Sequence, residues 1–353
     1  MKTKSQCLAV RKKDCEFALR LLKEHAFLKR EMKISVEGEL AFIPIKEAPP
    51  RNLLNNAGLG YVNVVEKIVE AGKTIQNFTS ALEKVIPSKL KPLIPRSLDI
   101  IGHVAIVELP PELEPYAEAL GKTVMETHRN VKTVLAKTSQ VDSPFRLRKF
   151  KLISGIDQTE TVHREFGCRF VVDVRKVYFS PRLSFEHDRV SAQIGEGETV
   201  VDMFAGVGPF SILTAKRRKK VKVYAIDANP EAYSYLLRNI AINKVDSKVT
   251  ALLGDIQRLL EKNLRGVKAD RVIMNLPSEA FRFLPQALTL LKAEGIVHYY
   301  CFAKEPNPLE KAEEEVKKTV AFSGWKADVL YARRVKPSAP RTWMVALDLR
   351  FTL

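Results

Sequence analysis

The stretch 200–211, with the sequence VVDMFAGVGPFS, predicts a short buried strand that runs through a glycine turn into a helix. Two valines begin the stretch with the β-branched, apolar character of a strand, and Asp202 follows at the expected carboxyl end, where open α/β sheets bind ligands. Gly206 and Gly208 permit backbone angles and close approaches that a Cβ would prevent. The third glycine of the dinucleotide fingerprint is absent. Because a plain strand–turn–helix crossover has a similar sequence, the function depends on residues further along.

The chain from Tyr178 onward alternates between strands and helices, which predicts an α/β fold with a mostly parallel sheet. The predicted strands are 199–203, 221–226, 248–253, 270–275, 295–301, 326–332 and 342–350. The predicted helices between them are 208–217, 230–243, 256–263, 279–291 and 307–320. The seventh strand alternates between apolar and polar residues, which favours an antiparallel direction.

Three domains are predicted, with boundaries near residues 60 and 180. Residues 1–60 form a small N-terminal α/β module with a helix over 14–29, a hairpin over 33–45 and a turn-rich linker. Residues 61–180 form an α+β domain with antiparallel strands, and residues 181–353 form the α/β domain. Within the second domain, helices are predicted at 79–86 and 114–130, and strands at 103–109, 133–137, 152–154, 161–165 and 168–173.

The composition describes a globular chain with a polyanionic partner. Of the 353 residues, 46% are hydrophobic and 28% are charged, and the formal net charge is +17. This charge favours nucleic acid as the partner, although the lysine-rich surface of a heat-adapted protein is an alternative. The four cysteines form no C-x-x-C pair, so no metal site is expected. Without an apolar run of bilayer length or a signal peptide, we expect a cytoplasmic protein that does not bind membranes.

Four successive strand ends carry polar side chains that suit a nucleoside. Asp202 follows the first strand, Asp227 the second, Asp255 the third and Asn275 the fourth. Asp227 is placed to accept the hydroxyl protons of a ribose, and Asp255 to meet an adenine amino group. Each acid alone could be a helix N-cap, but the ordered set predicts a pocket for S-adenosylmethionine rather than for NAD. Neighbouring turn residues complete the predicted cofactor site: Phe204, Ala205, Gly206, Gly208, Ala228, Ile256 and Leu276.

The tripeptide 275–277, NLP, resembles the Asn-Pro-Pro-aromatic motif of enzymes that methylate exocyclic amines of bases. Leucine replaces the first proline and Ser278 replaces the aromatic residue, so the sequence indicates a different base nitrogen. Together with 177–183 (VYFSPRL), 185–187 (FEH) and the glycine turn, this tripeptide resembles the archaeal and eukaryotic tRNA (guanine(37)-N1)-methyltransferase family. The resemblance covers about 95–353. It implies a Rossmann-like class I methyltransferase domain, S-adenosylmethionine as cofactor, and methylation of N1 of the guanosine 3′ of the anticodon.

The resemblance also implies roles for individual residues. Glu186 matches the general base that removes the guanine N1 proton, and Arg146 matches the arginine that steadies charge on O6. Asn275 would orient the base, and Tyr178 and Pro277 would wall the methionine end of the cofactor. An ordinary helix-start carboxylate is the structural alternative for Glu186.

Other features leave alternatives open. The family has arginine where this chain has His187, a weaker partner for the cofactor carboxylate. The segment 144–151, PFRLRKFK, could grip phosphates and stack bases, or could be a charged strand edge. The basic run 216–222 is expected to be a solvated face.

By analogy with the family, the protein would act on tRNA as a monomer. Its N-terminal module would touch the tRNA elbow, and 61–180 would cradle the anticodon stem. Two rival functions are a wyosine-pathway transferase, which adds an aminocarboxypropyl group or methylates a tricyclic precursor, and an RNA-binding protein with a vestigial cofactor fold.

Overall fold

The computed structural model describes residues 2–25, 27–29, 32–56, 58–59, 62–70, 78–95, 97–138 and 148–353. The chain divides into two compact units, Met1–Ala81 and Leu82–Leu353. The predicted catalytic residue Arg146 lies outside the described residues, as does the start of the basic segment 144–151.

A four-stranded sheet in the order β2-β3-β1-β4 forms the first unit. Its elements are β1 (Lys2–Arg11), α1 (Cys15–Glu24), β2 (Ser35–Glu37), β3 (Leu40–Pro44), α2 (Arg51–Asn56) and β4 (Asn63–Glu70). The predicted hairpin is confirmed, with Gly38 at φ +55° in its turn. Strand β4 pairs with β1 from Lys2↔Glu70 to Ala9↔Asn63. The first unit therefore extends past residue 60, because the turn-rich segment connects elements of one sheet instead of linking two domains.

The second unit begins with a second four-stranded sheet, in the order β5-β6-β7-β8. Its elements follow α3 (Phe78–Leu82) and are β5 (Asp99–Ile101), β6 (Val104–Glu108), α4 (Ala117–Thr127), β7 (Thr133–Lys137) and β8 (Phe150–Gly155). The expectation of purely antiparallel strands is wrong for β6 and β7, which pair in parallel. Helix α4 connects these two strands, and such a crossover returns the chain in its original direction.

The seven-stranded sheet has the order β13-β12-β11-β14-β15-β17-β16. Its strands are β11 (Thr199–Asp202), β12 (Lys222–Asp227), β13 (Val249–Leu253), β14 (Ala269–Met274), β15 (Leu291–Lys304), β16 (Lys326–Ala339) and β17 (Thr342–Thr352). The prediction of seven strands is confirmed, and β17 runs antiparallel to both of its neighbours, as expected. The strand order reverses at β11, so the carboxyl ends of β11 and its neighbours form the crevice where open sheets bind ligands.

Helices cover this sheet on both faces. They are α5 (Ser184–Gln193), α6 (Pro209–Arg217), α7 (Pro230–Asn243), α8 (Ile256–Glu261), α9 (Ala280–Leu290) and α10 (Pro308–Val320). Two apolar clusters result: Val200 belongs to the one that includes residues of α5–α7, and Val201 to the one that includes residues of α8–α10. Successive strand residues point to opposite faces, so the two valines of the opening stretch anchor both layers.

A hairpin of β9 (Glu160–Glu165) and β10 (Cys168–Asp173) packs beside α7. The buried Asn239 accepts a hydrogen bond from the Val171 amide at 2.7 Å and donates to the Val171 carbonyl at 3.2 Å. Its amide nitrogen also donates to the Val207 carbonyl at 3.0 Å. One side chain therefore joins the hairpin to the glycine turn.

Candidate active site at the carboxyl ends of the parallel strands

The turn after β11 needs its two glycines for different reasons. Gly208 has φ +89°, and a Cβ there would lie 2.5 Å from Leu236 Cδ1. Gly206 has φ +56°, and a Cβ there would meet only the Tyr178 carbonyl oxygen within 4 Å, at 3.9 Å. The turn is therefore packed tightly against helices α6 and α7 at Gly208, and it has room between Gly206 and Tyr178.

Asp202 lies beneath this turn. Its carboxylate is fully buried, and Ser211 in α6 donates a hydrogen bond to Oδ2 at 2.7 Å. Oδ1 has no hydrogen-bond partner among the described residues. Burial raises the pKa of Asp202 to about 7. The structure thus places Asp202 where it holds α6 against the strand, with no side-chain surface exposed to a ligand.

Asp227 ties the turn to the next strand. Its Oδ2 accepts from the Gly206 amide at 2.7 Å, its Oδ1 accepts from the Asn229 amide at 2.8 Å, and its carbonyl accepts from the Gly254 amide at 3.0 Å. Burial raises the pKa of this carboxyl above its ordinary value. Since each carboxylate oxygen has a second lone pair, Asp227 can still accept from a ligand.

The other predicted cofactor residues lie at the ends of adjacent strands. Asp255 is exposed and caps α8 by accepting from the Gln257 amide at 2.8 Å, as its N-cap alternative predicts. Asn275 is half-buried, and the carbonyl of the buried Pro277 accepts from the Phe302 amide at 3.1 Å. The structure brings together, after β11–β14, the predicted residues Phe204, Ala205, Gly206, Gly208, Asp227, Ala228, Asp255, Ile256, Asn275, Leu276 and Pro277.

Glu186 is a buried carboxylate in the first turn of α5. Its Oε2 accepts from Arg189 Nε and from the Tyr300 hydroxyl, both at 2.9 Å. Arg333 Nη1 lies 3.4 Å from Oε1, which accepts no hydrogen bond from the described part of the chain. One oxygen is therefore held by two hydrogen bonds, while the other is buried beside the Arg333 guanidinium and accepts no hydrogen bond from the described residues.

His187 faces a different group. Its Nδ1 lies 2.8 Å from Glu165 Oε2, and His163 Nε2 lies 3.2 Å from Oε1 of the same carboxylate. Although burial opposes it, hydrogen bonds from the two histidines lower the pKa of Glu165 to about 2. The buried His187 ring also packs edge-on against Phe210 at 4.7 Å. The substitution of histidine for the family arginine thus comes with an ionised carboxylate as its partner.

Tyr178 lies between the glycine turn and β16. Lys336 Nζ donates to the Tyr178 hydroxyl at 3.5 Å and to Ser180 Oγ at 3.0 Å. Arg333 belongs to the same strand, so β16 approaches both Tyr178 and Glu186 with cationic side chains.

Sequence reasoning missed six residues near the site: Glu165, Arg189, Tyr300, Arg333, Lys336 and Asp348. A signal existed for Asp348, an acid that lies between Leu347 and Leu349 in a strand segment that is otherwise apolar from Trp343 to Leu349. The others come from distant parts of the chain, and no local pattern marks them. In the described part of the chain, no group of three His, Cys, Asp or Glu could hold a metal ion, and no helix is long and apolar enough to cross a membrane.

The strand order, the reversed seventh strand and the pocket-forming turns define a Rossmann-like class I methyltransferase. The chain belongs to the TRM5/TYW2 methyltransferase family. The TRM5/TYW2 methyltransferase domain matches residues 161–326, the TYW2 N-terminal domain matches 78–159, and the tRNA methyltransferase 5 N-terminal domain matches 7–53.

Three comparisons illustrate this membership. The chain is 40% identical, over 96% of both chains, to the tRNA (guanine(37)-N(1))-methyltransferase Trm5b of Pyrococcus abyssi. It is 36% identical to the tRNA(Phe) (4-demethylwyosine(37)-C(7)) aminocarboxypropyltransferase of Methanocaldococcus jannaschii, over 71% of this chain and 96% of that one. The crystal structure of M. jannaschii TYW2 in complex with AdoMet matches with a TM-score of 0.55 and 31% identity, over 72% of this chain and 99% of that chain.

The cofactor of this family is S-adenosylmethionine, and the residues present fit it. The space above Gly206, which a Cβ would enter, lies against the Tyr178 carbonyl and beside a carboxylate with unused lone pairs, that of Asp227. Such a site suits a ribose without a pyrophosphate.

Proposed function

We propose that the protein transfers a methyl group from S-adenosylmethionine to N1 of guanosine 37 in tRNA. The observation that carries the proposal is the buried Glu186, one oxygen of which accepts two hydrogen bonds while the other accepts none from the described residues. The relative named as an N1-methyltransferase of this guanosine aligns over nearly the whole chain, whereas the aminocarboxypropyltransferase aligns over 71% of it.

The proposed cofactor contacts follow from the positions of the strand ends. Asp227 would accept from the ribose hydroxyls, and Asp255 would accept from the adenine amino group with lone pairs that its cap does not use. Tyr178 and Pro277 would flank the methionine end of the cofactor. His187, held by its hydrogen bond with Glu165, would form the part of the pocket wall that α5 contributes. Asp202 would contribute indirectly, by holding the turn.

The proposed chemistry needs a base beside the guanine. S-adenosylmethionine supplies an electrophilic methyl group on a sulfonium. Glu186 Oε1 takes the N1 proton as the general base, while the side-chain amide of Asn275 orients the guanine ring. Loss of this proton frees the N1 lone pair, which is otherwise shared with the neighbouring carbonyl, for attack on the methyl group. Arg146 remains a proposed electrostatic partner of O6.

Labelled-cofactor assays test this function. Unmodified tRNA transcripts with G37, and matched transcripts with A37, are incubated with the protein and methyl-labelled cofactor, and the nucleosides are then analysed by mass. We expect 1-methylguanosine from the G37 transcript and no product from the A37 transcript. An aminocarboxypropyl product, or modification only of a wyosine precursor, would assign the wyosine pathway. The absence of cofactor binding by calorimetry would leave only an RNA-binding role.

The domain roles belong to the same proposal. The first unit would touch the tRNA elbow, and the part of the second unit that precedes the seven-stranded sheet would cradle the anticodon stem. The match of the tRNA methyltransferase 5 N-terminal domain to residues 7–53 supports the first of these roles.

A further inference from the structure

The guanidinium of Arg189 bridges two buried carboxylates. Its Nε donates to Glu186 Oε2 at 2.9 Å, and Nη2 lies 2.9 Å from the same oxygen. Nη1 donates to Asp348 Oδ2 at 2.5 Å, and Nη2 also donates to Oδ1 at 3.1 Å. The same guanidinium lies 4.6 Å from the centre of the Tyr331 ring. Planar bidentate pairing fixes the orientation of an arginine as well as its position. Asp348 therefore holds the guanidinium with its Nε–Nη2 edge toward Glu186 Oε2.

Asp348 is itself held from two other sides. Gln193 Nε2 donates to Oδ2 at 2.9 Å, and His298 Nδ1 lies 2.8 Å from Oδ1. Arg271 Nη1 lies 3.4 Å from the second ring nitrogen of His298. Because an arginine can only donate, that nitrogen accepts, and Nδ1 carries the proton given to Asp348.

The charges of this cluster are set by the same contacts. Burial lowers the pKa of His298, which therefore stays neutral. Although burial opposes it, hydrogen bonds from His298 and Arg189 hold the pKa of Asp348 well below its usual range. Burial also opposes the charge of Arg189, but the bond to Asp348 raises its pKa. Glu186, Arg189 and Asp348 thus form a buried carboxylate–guanidinium–carboxylate series.

We infer that Asp348 is a positioning residue for Glu186 and acts through Arg189, an inference that rests on the proposed function. With Asp348 present, the guanidinium shares its charge between two carboxylates and gives Glu186 a hydrogen bond at Oε2 only. Without it, the whole positive charge acts on Glu186, and the two freed N–H groups can turn toward Oε1. Both changes engage the lone pairs of Glu186 in contacts with Arg189, which makes the carboxylate a poorer acceptor of the guanine proton.

The other described groups that face Glu186 do not duplicate this arrangement. Tyr300 on β15 donates a neutral hydroxyl to Oε2. Arg333 on β16 is partly exposed, lies 4.5 Å from the Phe185 ring centre, and approaches Oε1 at 3.4 Å. Of these described groups, Arg189 alone is bridged to a second carboxylate, so its charge is the one that Asp348 controls.

Asp348→Asn tests the inference under single-turnover conditions, where the methyl-transfer step is measured directly. We expect the rate to fall on the order of tenfold or more, a part of the 10²–10⁴-fold contribution of a general base. The acidic limb of the pH–rate profile moves to lower pH, because Arg189, without its second carboxylate, places more positive charge beside the atom that accepts the proton. Cofactor affinity, measured by calorimetry, stays within about twofold.

Two further variants show whether Asp348 acts through Arg189. Arg189→Gln removes the cation, so the acidic limb moves to higher pH, and adding Asp348→Asn to it changes the profile no further. If Asp348→Asn alone does not fold, the comparison of Arg189→Gln with the double variant still tests the inference, since the double variant contains neither the Arg189 nor the Asp348 charge. The matched control is Glu160→Gln, which removes the bidentate acceptor of Arg238, at 2.9 and 3.0 Å, and leaves the limb in place.

A uniform loss of rate with an unmoved acidic limb in Asp348→Asn would reduce this residue to a structural role and overturn the inference. So would an equal effect of Asp348→Asn in the presence and the absence of Arg189. A wild-type protein that leaves G37 unmethylated contradicts the proposed function instead. The proposed function is thus tested on the wild-type protein, and the role of Asp348 on the variants.

Discussion

At Glu186, the geometry separates the two oxygens of one carboxylate. Glu186→Gln keeps the shape and the acceptor at one oxygen but cannot take a proton. We expect single-turnover methylation to fall by at least about 100-fold with unchanged calorimetric affinity for S-adenosylmethionine. The control is Glu279→Gln, which alters an exposed pair with Arg282. Full activity of Glu186→Gln would remove this residue from the mechanism.

Asp202 makes stability depend on pH. Its native pKa of about 7 lies above the value of roughly 3.9 in an unfolded chain, so the native state binds the proton more tightly. Native stability therefore falls as the pH rises from about 4 to 7, by up to about 4 kcal/mol. In urea unfolding, we expect Asp202→Asn to be more stable than wild type at pH 8 and nearly equal at pH 4.

Asp270 provides a control of opposite sign. Although burial opposes it, bonds from Lys292 and the Thr199 amide lower the pKa of Asp270. Asp270→Asn should thus lose stability above about pH 4. If Asp202→Asn were destabilised equally at pH 4 and pH 8, burial of a titrating carboxyl would not be the explanation.

How much of the site the sequence could reveal depends on the range of the contacts. The glycines and acids at the ends of β11–β14 were predictable, because each follows a recognisable strand and parallel strands end at one edge. The bond between Arg189 and Asp348 joins residues 159 positions apart, and the one between Tyr300 and Glu186 joins residues 114 apart. Their partnership exists only after the sheet has formed.

At the scale of elements, Asn239 in α7 couples the β9–β10 hairpin to the glycine turn. Asn239→Ala leaves an amide and two carbonyls without their buried partner, which should lower the free energy of unfolding by roughly 3 kcal/mol. Because the Val207 carbonyl loses its donor, cofactor affinity should fall as well. Urea unfolding and calorimetry measure the two effects.

Asn243→Ala is the matched control on the same helix. Asn243 accepts from the Arg169 amide at 2.9 Å and donates to the Arg169 carbonyl at 2.7 Å, with no bond to the turn. Its loss should lower stability similarly and leave cofactor affinity unchanged. Equal effects of both variants on affinity would mean that the hairpin, and not the turn contact, is what matters.

The elements of the seven-stranded sheet were predictable because each carries a local apolar run bounded by turns. For strand β17 the predicted antiparallel direction is confirmed by the pairing with β15, although residues 344–349 are all buried and the strand has no polar face there. Strands β1 and β4 were not predicted, since their pairing links residues at opposite ends of the first unit. The parallel pairing of β6 and β7 was missed because antiparallel neighbours were assumed where a helix intervenes.

At the scale of the whole molecule, the net charge of +17 should dominate the affinity for RNA. Contacts to phosphates release counterions, so the logarithm of the association constant falls linearly with that of the salt concentration. For about five contacts we expect a slope near −4 for tRNA, measured by filter binding. A slope near zero would mean that the charge serves another purpose.

Lysines of the basic run 216–222 supply the control. Arg217 and Arg218 in this run bond to Asp188 and to the Ala192 carbonyl, and the amides of Lys219 and Lys220 bond to Glu196. Replacing the exposed Lys219 and Lys220 by glutamine should leave the salt slope unchanged, as a solvated face predicts. A slope shallower by about 2, that is, near −2 instead of −4, would mean that this run contacts the RNA.

The bonds that Asp227 makes to the Gly206 and Gly254 amides have a consequence for ligand capture. The loops after three neighbouring strands are already cross-linked through one residue, so the floor of the proposed cofactor pocket is assembled before a ligand binds. Little conformational entropy then remains to be lost on encounter. The discrimination between a sulfonium nucleoside and its demethylated product must therefore come from direct contacts at the sulfur end, and not from reshaping of this floor.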